Sequence, residues 1–92
     1  PAGRTVVPGH TIESMWFVLH AALRLGRQDL VTPATTAIRW MHEAGWDPDF
    51  GGLYLGLDSK GGTPWFPNAE KKLWWVHCES LYALLLSKKL TG

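Results

Sequence analysis

Pro8-Gly9-His10-Thr11-Ile12-Glu13 leads out of a loop and into the chain's first run of helically spaced apolar residues. A Pro-Gly pair is a turn signal, so the helix is expected from about Thr11, with His10 at its mouth. Ile12, Met15, Trp16, Leu19, Ala22 and Leu23 follow helical spacing up to Leu25, and Phe17 and Val18 widen the stripe. Gly26 supplies the stop, and Arg24 and Arg27 suit a helix C-terminus. His10 and Glu13 stand three residues apart, so both point from the same side of the first turn. A carboxylate beside an imidazole holds it in one tautomer and stabilises its charged form, which suits proton transfer. The pair also reads as capping chemistry, with Glu13 favouring the helix dipole and reaching back to free N–H groups. His20, inside this helix, reads as a packed or half-exposed side chain.

Working outward, Gln28 to Val31 is a short link. Thr32 is expected to cap a second helix, with Pro33 at its first position. Ala34, Ala37, Ile38, Met41 and Ala44 form its apolar stripe, and Gly45 ends it. Two helices joined by so short a turn make an antiparallel hairpin. His42 and Glu43 fall off the stripe, on a solvated face.

From Trp46 to Pro67 the pattern changes. Asp47-Pro48-Asp49 and Gly51-Gly52 are turn chemistry. Leu53-Tyr54-Leu55 reads as a short strand, and Asp58 to Gly62 as a hairpin turn with Thr63 to Phe66 returning. The glycines match no phosphate-binding or dinucleotide pattern. Asp47, Asp49 and Asp58 lack the spacing of a calcium loop. A connection this long between helices is usually functional.

The third helix is expected to start at Asn68 as cap, with Glu70 in its first turn, and to run to about Ser87. Leu73, Val76, Leu84 and Leu85 suit core or inter-helix contacts. Trp75, Glu79 and Tyr82 fall in one row at i, i+4 and i+7. A flat aromatic surface with an acid and a phenol beside it suits a sugar, whose ring face stacks while polar groups hold its hydroxyls. The same row also reads as core packing plus an ion pair. A zinc set of His10, His77 and Cys78 is disfavoured, because adjacent helical residues point about 100° apart.

Composition bounds the class. The chain has 92 residues, 46% of them hydrophobic, and a net charge of +1. That describes one small globular domain, and the balance of charge argues against nucleic acid or an anionic membrane as partner. No apolar run is long enough to span a bilayer. The opening residues lack the apolar segment of a signal peptide, and one cysteine, Cys78, makes no internal disulfide, so a reducing, cytoplasmic location is expected. Six tryptophans exceed what so small a core hides. Such aromatic surface belongs to a binding site or an interface.

Three stretches in order, Pro8-Gly9-His10-x-x-Glu13-x-x-Trp16, Gly45-Trp46-Asp47-Pro48-Asp49-Phe50-Gly51-Gly52-Leu53-Tyr54 and Lys72-Leu73-Trp74-Trp75-Val76-His77-Cys78-Glu79, together resemble the N-acylglucosamine 2-epimerase family, with its cellobiose 2-epimerase and mannose isomerase relatives. The resemblance implies an all-α fold, an (α/α)6 barrel around a sugar cleft. It implies proton abstraction and return beside the sugar carbonyl, through an enediol-like intermediate, with no metal or redox cofactor. By resemblance His10 is an acid/base and Glu13 its supporting carboxylate. Trp75 stacks on or borders the sugar, Glu79 lines the same cleft, and Tyr82 shares their row.

The family pattern also carries an arginine and a histidine upstream, and a further catalytic histidine downstream in a Lys-Gly-x-Phe-His-like motif. Neither is present here, and His77 does not match the downstream one. The chain is therefore expected to be an internal piece of such a barrel: about three helices, with a short β-hairpin loop before the third. Its exposed helix faces should drive self-association, and the isolated chain should lack a complete site. Two other readings are a non-enzymatic helical interaction or oligomerisation module derived from that fold, and a glycoside-cleaving barrel using Glu13 and Glu79 as its two carboxylates.

Overall fold

The computed structural model describes residues 2–92. Three helices carry the fold: α1 (Pro8–Leu25), α2 (Val31–Gly45) and α3 (Trp74–Thr91). A two-residue strand β1 (Thr5–Val6) precedes α1, and β2 (Leu57–Asp58) lies between α2 and α3. The all-α expectation holds.

Helix α1 starts earlier than its Pro-Gly pair suggested. Pro8 occupies its first turn and Val7, in extended conformation, is the N-cap. Proline lacks only an N–H that a first turn leaves unpaired, and its φ is already helical. His10 therefore sits inside the first turn rather than before it. The other end follows expectation: Gly26 adopts the left-handed conformation at φ 68° and its N–H returns to the Ala22 carbonyl. After a single turn at Gln28–Leu30, α2 begins at Val31, capped by Leu30, so Thr32 and Pro33 lie within its first turn.

Helices α1 and α2 are antiparallel, since Gly45 at the end of α2 lies against Pro8 at the start of α1. Ile12, Leu19 and Ala22 of α1 meet Val31, Ala34 and Ile38 of α2, and Ala83 of α3 completes the core. Alanines at three of these positions let the helices approach closely. Each fully buried isoleucine or leucine contributes about 1.5–3 kcal/mol. Met15, Trp16, Met41 and Leu84 pack around this centre. Leu23 and Ala44, placed on the apolar stripes by periodicity, are exposed, as is Leu85.

The short β element differs in its pairing. The strand is Leu57–Asp58 rather than the expected Leu53–Leu55, and it pairs antiparallel with Thr5–Val6 rather than with the expected return at Thr63–Phe66. The Arg4 guanidinium reaches the Asp58 carboxylate at 2.6 Å and fixes that partner. Leu53 bridges instead to Trp46, closing the Asp47–Gly52 turn, in which Gly51 and Gly52 take positive φ.

Helix α3 starts at Trp74, capped by Leu73, not at Asn68. Asn68 itself has a left-handed φ of 64°. The Ala69 and Lys71 carbonyls accept the Gly56 and Leu55 N–H groups. The segment pairs with the preceding loop and cannot coil. At its other end α3 extends to Thr91.

Candidate functional site

The first turns of α1 and α3 touch, and glycine makes the contact possible. A Cβ at Gly9 would meet the Trp75 indole at 2.8 and 2.9 Å and Val76 at 3.1 Å. The small residue of the Pro-Gly-His stretch thus serves close packing, where its spacing suggested a turn. One residue on, the His10 imidazole stacks on Trp75, with ring centroids 5.1 Å apart and planes at 28°.

Further along the same two helices the pairing continues. The Trp16 indole N–H donates to Glu79 Oε2 at 2.5 Å. His20 Nε2 and the Tyr82 hydroxyl are hydrogen-bonded at 2.5 Å, and the two rings stack. Trp16 stands edge-on to both His20 and Tyr82. Because the pairs 10–75, 16–79 and 20–82 advance together, α1 and α3 run parallel. The row Trp75, Glu79, Tyr82 on α3 therefore has a facing row on α1.

The contact expected between His10 and Glu13 is not formed. Among the described residues no hydrogen bond or ion pair joins them, and His10 turns toward α3 instead, where the flat indole attracts its ring. Glu13 is half-buried and shares a helix face with Trp16 and His20, at i, i+3 and i+7. His10 is exposed. Thus His10, Trp75, Glu79 and Tyr82 stand along one α1–α3 seam, and Glu13 lies on the α1 side of it. Trp16 and His20 are the members that residue-by-residue reasoning missed. The signal for them was the Glu13–Trp16–His20 spacing, which matches the facing row.

A pocket of about 450 Å³ lies elsewhere, between Tyr54, Leu57, Pro64 and Phe66. Among the described residues no cluster of three or more His, Cys, Asp or Glu could hold a metal ion. Asp47 and His77 are committed elsewhere. Buried Asp47 accepts Lys72 Nζ at 2.6 Å and the N–H groups of Asp49 and Phe50. The Lys72 charge lowers its pKa to about 2, outweighing the opposing effect of burial, and the two N–H groups assist. The Lys72 ammonium also lies 5.3 Å from the centre of the Tyr54 ring. Burial, followed by the Asp47 carboxylate, raises the Tyr54 phenol.

Both nitrogens of His77 are occupied. Nε2 accepts the Leu53 N–H at 2.9 Å and Nδ1 meets the Leu73 carbonyl at 2.7 Å. A carbonyl only accepts, so Nδ1 carries the proton and the ring is neutral. Cys78 is a free, exposed thiol. No described helix is long and apolar enough to cross a membrane.

Comparison of the sequence with known proteins finds a family match over nearly its whole length. The family model described as N-acylglucosamine 2-epimerase matches residues 2–92. The N-acylglucosamine 2-epimerase of Mus musculus is 37% identical over 91 residues, covering 98% of this chain and 22% of that protein. The Homo sapiens protein is 35% identical, covering 98% of this chain and 21% of its own length. The Rattus norvegicus protein is 36% identical, with 98% and 22% covered. The chain spans about a fifth of the length of these relatives. Helix content, motif order and this match agree: the chain belongs to the N-acylglucosamine 2-epimerase family.

Proposed function

We propose that this chain supplies one wall of the active site of a sugar 2-epimerase or aldose–ketose isomerase, built on an (α/α)6 barrel. The observation that carries the reading is the α1–α3 seam, where an accessible imidazole stacks on an indole beside a carboxylate and a phenol. A sugar lying on that seam would have its apolar ring face against Trp75 and its hydroxyls near Glu79 and Tyr82. The His10 imidazole would take the proton from the carbon next to the carbonyl. The C–H electron pair then forms the carbon–carbon double bond of an enolate (an enediolate where C2 bears a hydroxyl), and the carbonyl oxygen gains charge. Return of a proton to the opposite face of that carbon inverts it, and return to the neighbouring carbon gives the ketose. Inversion needs an acid/base on each face, so a second group from outside this seam completes the reaction. Glu13 does not touch His10; half-buried and without an ion-pair partner among the described residues, it would favour the imidazolium only through space, as a charge one turn along α1. N-acylglucosamine and N-acylmannosamine are the proposed substrate pair. No metal or redox group is required by this chemistry.

The test is isotope exchange in heavy water, following the C2 proton of N-acetylmannosamine, N-acetylglucosamine, mannose and cellobiose by NMR. This chain is expected to support exchange when it replaces the matching segment of the mouse enzyme, and His10→Ala should abolish it. The isolated chain should show little. Exchange that persists undiminished in His10→Ala would overturn the assignment.

The neighbouring surfaces support a second point. Phe17 on α1 and Leu81 and Leu85 on α3 are exposed. We propose that other helices of the barrel cover them, and that the isolated chain self-associates through them instead. A concentration-independent monomer in sedimentation would refute this. A cytoplasmic setting suits the free thiol of Cys78.

A further inference from the structure

We propose that His77 is a positioning residue: it locks the Asp47–Leu53 turn to the first turn of α3 and thereby holds Trp75 against His10. The proposal rests on the sugar-site reading only for its purpose, since the contacts themselves are independent of any substrate.

The argument starts from where the chain crosses itself. Four segments meet at one end of the molecule: the start of α1 at Pro8–Gly9, the end of α2 at Gly45, the turn at Leu53 and the start of α3 at Trp75–Val76. Leu53 is buried, and a Cβ on Gly45 would meet its side chain at 3.4 Å and Pro8 at 3.0 Å. Gly9 lies against Trp75 and Val76. Trp75 thus packs against the α1 arm of this junction, and its ring is the surface on which His10 lies.

His77 is the side chain that ties this junction together through hydrogen bonds. It accepts the N–H of Leu53 from the turn and engages the carbonyl of Leu73, the cap of its own helix. An N–H so placed on a buried residue is costly to leave unpaired. A Cβ at Gly52 would meet Nε2 of His77 at 3.3 Å and the Lys72 side chain at 2.8 Å, so the turn is pressed directly onto both. Lys72 then ties the turn's other end through Asp47. His77 lies two residues beyond Trp75, and both of its bonds restrain the turn of helix that carries the indole. Neither bond spends anything on solvent or substrate.

Two variants and one solution measurement test this on the 92-residue chain. Glutamine reproduces both bonds, its oxygen accepting from Leu53 and its amide N–H donating to Leu73, whereas phenylalanine makes neither. In the wild type, long-range proton–nitrogen NMR should show His77 protonated at Nδ1 alone, and the Leu53 amide should exchange slowly. The ring protons of His10 should be shifted upfield by Trp75. His77→Gln should keep both the Leu53 protection and the His10 shift, and His77→Phe should lose both. If His77→Phe does not fold, the wild-type tautomer and His77→Gln still decide. A ring protonated at Nε2 overturns the proposal. So does any folded variant in which Leu53 loses protection while the His10 shift stays, or the reverse. Sugar exchange plays no part in these readouts, so failure of the epimerase reading is seen separately.

Discussion

His10 stacks on the Trp75 ring and His77 lies two residues along the same helix from it, and the two histidines do opposite things. His10 has no hydrogen-bond partner for its ring among the described residues and rests, exposed, on the indole. His77 spends both nitrogens on the backbone at 2.9 and 2.7 Å. An imidazole already engaged at both ends has neither a free lone pair nor a free proton for a substrate. An unengaged one, oriented by stacking alone, has both. Residue type therefore says little about role here. What separates the two is where the lone pair and the proton go.

The sharpest way to break this comparison is to remove each ring in turn. His77→Ala leaves the Leu53 N–H without its partner, and an unpaired buried polar group costs about 1–3 kcal/mol. His10→Ala removes a surface stack and should cost less than about 1 kcal/mol. Chemical denaturation of the two variants should therefore rank His77→Ala well below His10→Ala. Equal losses would mean that the two histidines share a structural role.

Next in size is Gly9→Ala. The added methyl would lie 2.8 Å from a rigid indole carbon, so α1 and α3 must part or Trp75 must turn. Overpacking of this kind costs about 1–3 kcal/mol, more than the helix propensity of alanine returns. The His10–Trp75 stack should be lost with it, which the upfield shift of the His10 ring protons would report. A variant as stable as the wild type, with the stack kept, would show that the packing has room to give.

The helices themselves were legible because their signals are local. The apolar spacing from Ile12 to Leu23 and the glycine stop at Gly26 sit within a few residues of each other. The start of α3 was not legible. Asn68 and Glu70 carry the local signature of a helix cap, yet Leu55 and Gly56 take up the carbonyls of that segment from more than ten positions earlier. The short sheet fails for the same reason, since β1 and β2 lie on opposite sides of α1 and α2. The candidate site divides likewise. Helical spacing sets out both the row Trp75, Glu79, Tyr82 and the His10–Glu13 pair, and family resemblance gives them roles. Their pairing with Trp16 and His20 depends on α1 and α3 running parallel, which no local pattern encodes. Nor does spacing tell that Gly9 serves packing, because a Pro-Gly pair looks the same in a turn.

Acidification probes the clamped side of the comparison on its own. Asp47 is held at about 2 against an ordinary 3.8, chiefly by Lys72. A carboxyl lowered by folding adds stability that is complete above its unfolded value and is lost as pH falls through its folded one. Stability should therefore drop as pH goes from about 4 to about 2, and Asp47→Asn should make that part of the profile shallower. Denaturant titrations at stepped pH would measure it. An unchanged slope in Asp47→Asn would remove the Lys72–Asp47 pair from the clamp.

The smallest effect belongs to the tip of the same turn, and it sets the boundary of the clamp. Phe50 has 91% of its surface exposed, although Asp47 accepts its backbone N–H. If the clamp acts through backbone and buried charge, the Phe50 side chain contributes nothing to it. Phe50→Ser should then change stability by no more than about 0.5 kcal/mol, with the Leu53 amide still protected and the His10 ring still shifted. Improved solubility is the one change expected, because an exposed phenyl is removed. A loss beyond 1 kcal/mol would instead place the phenyl in contact with the chain in solution. The turn would then be held from its tip as well as from its two ends.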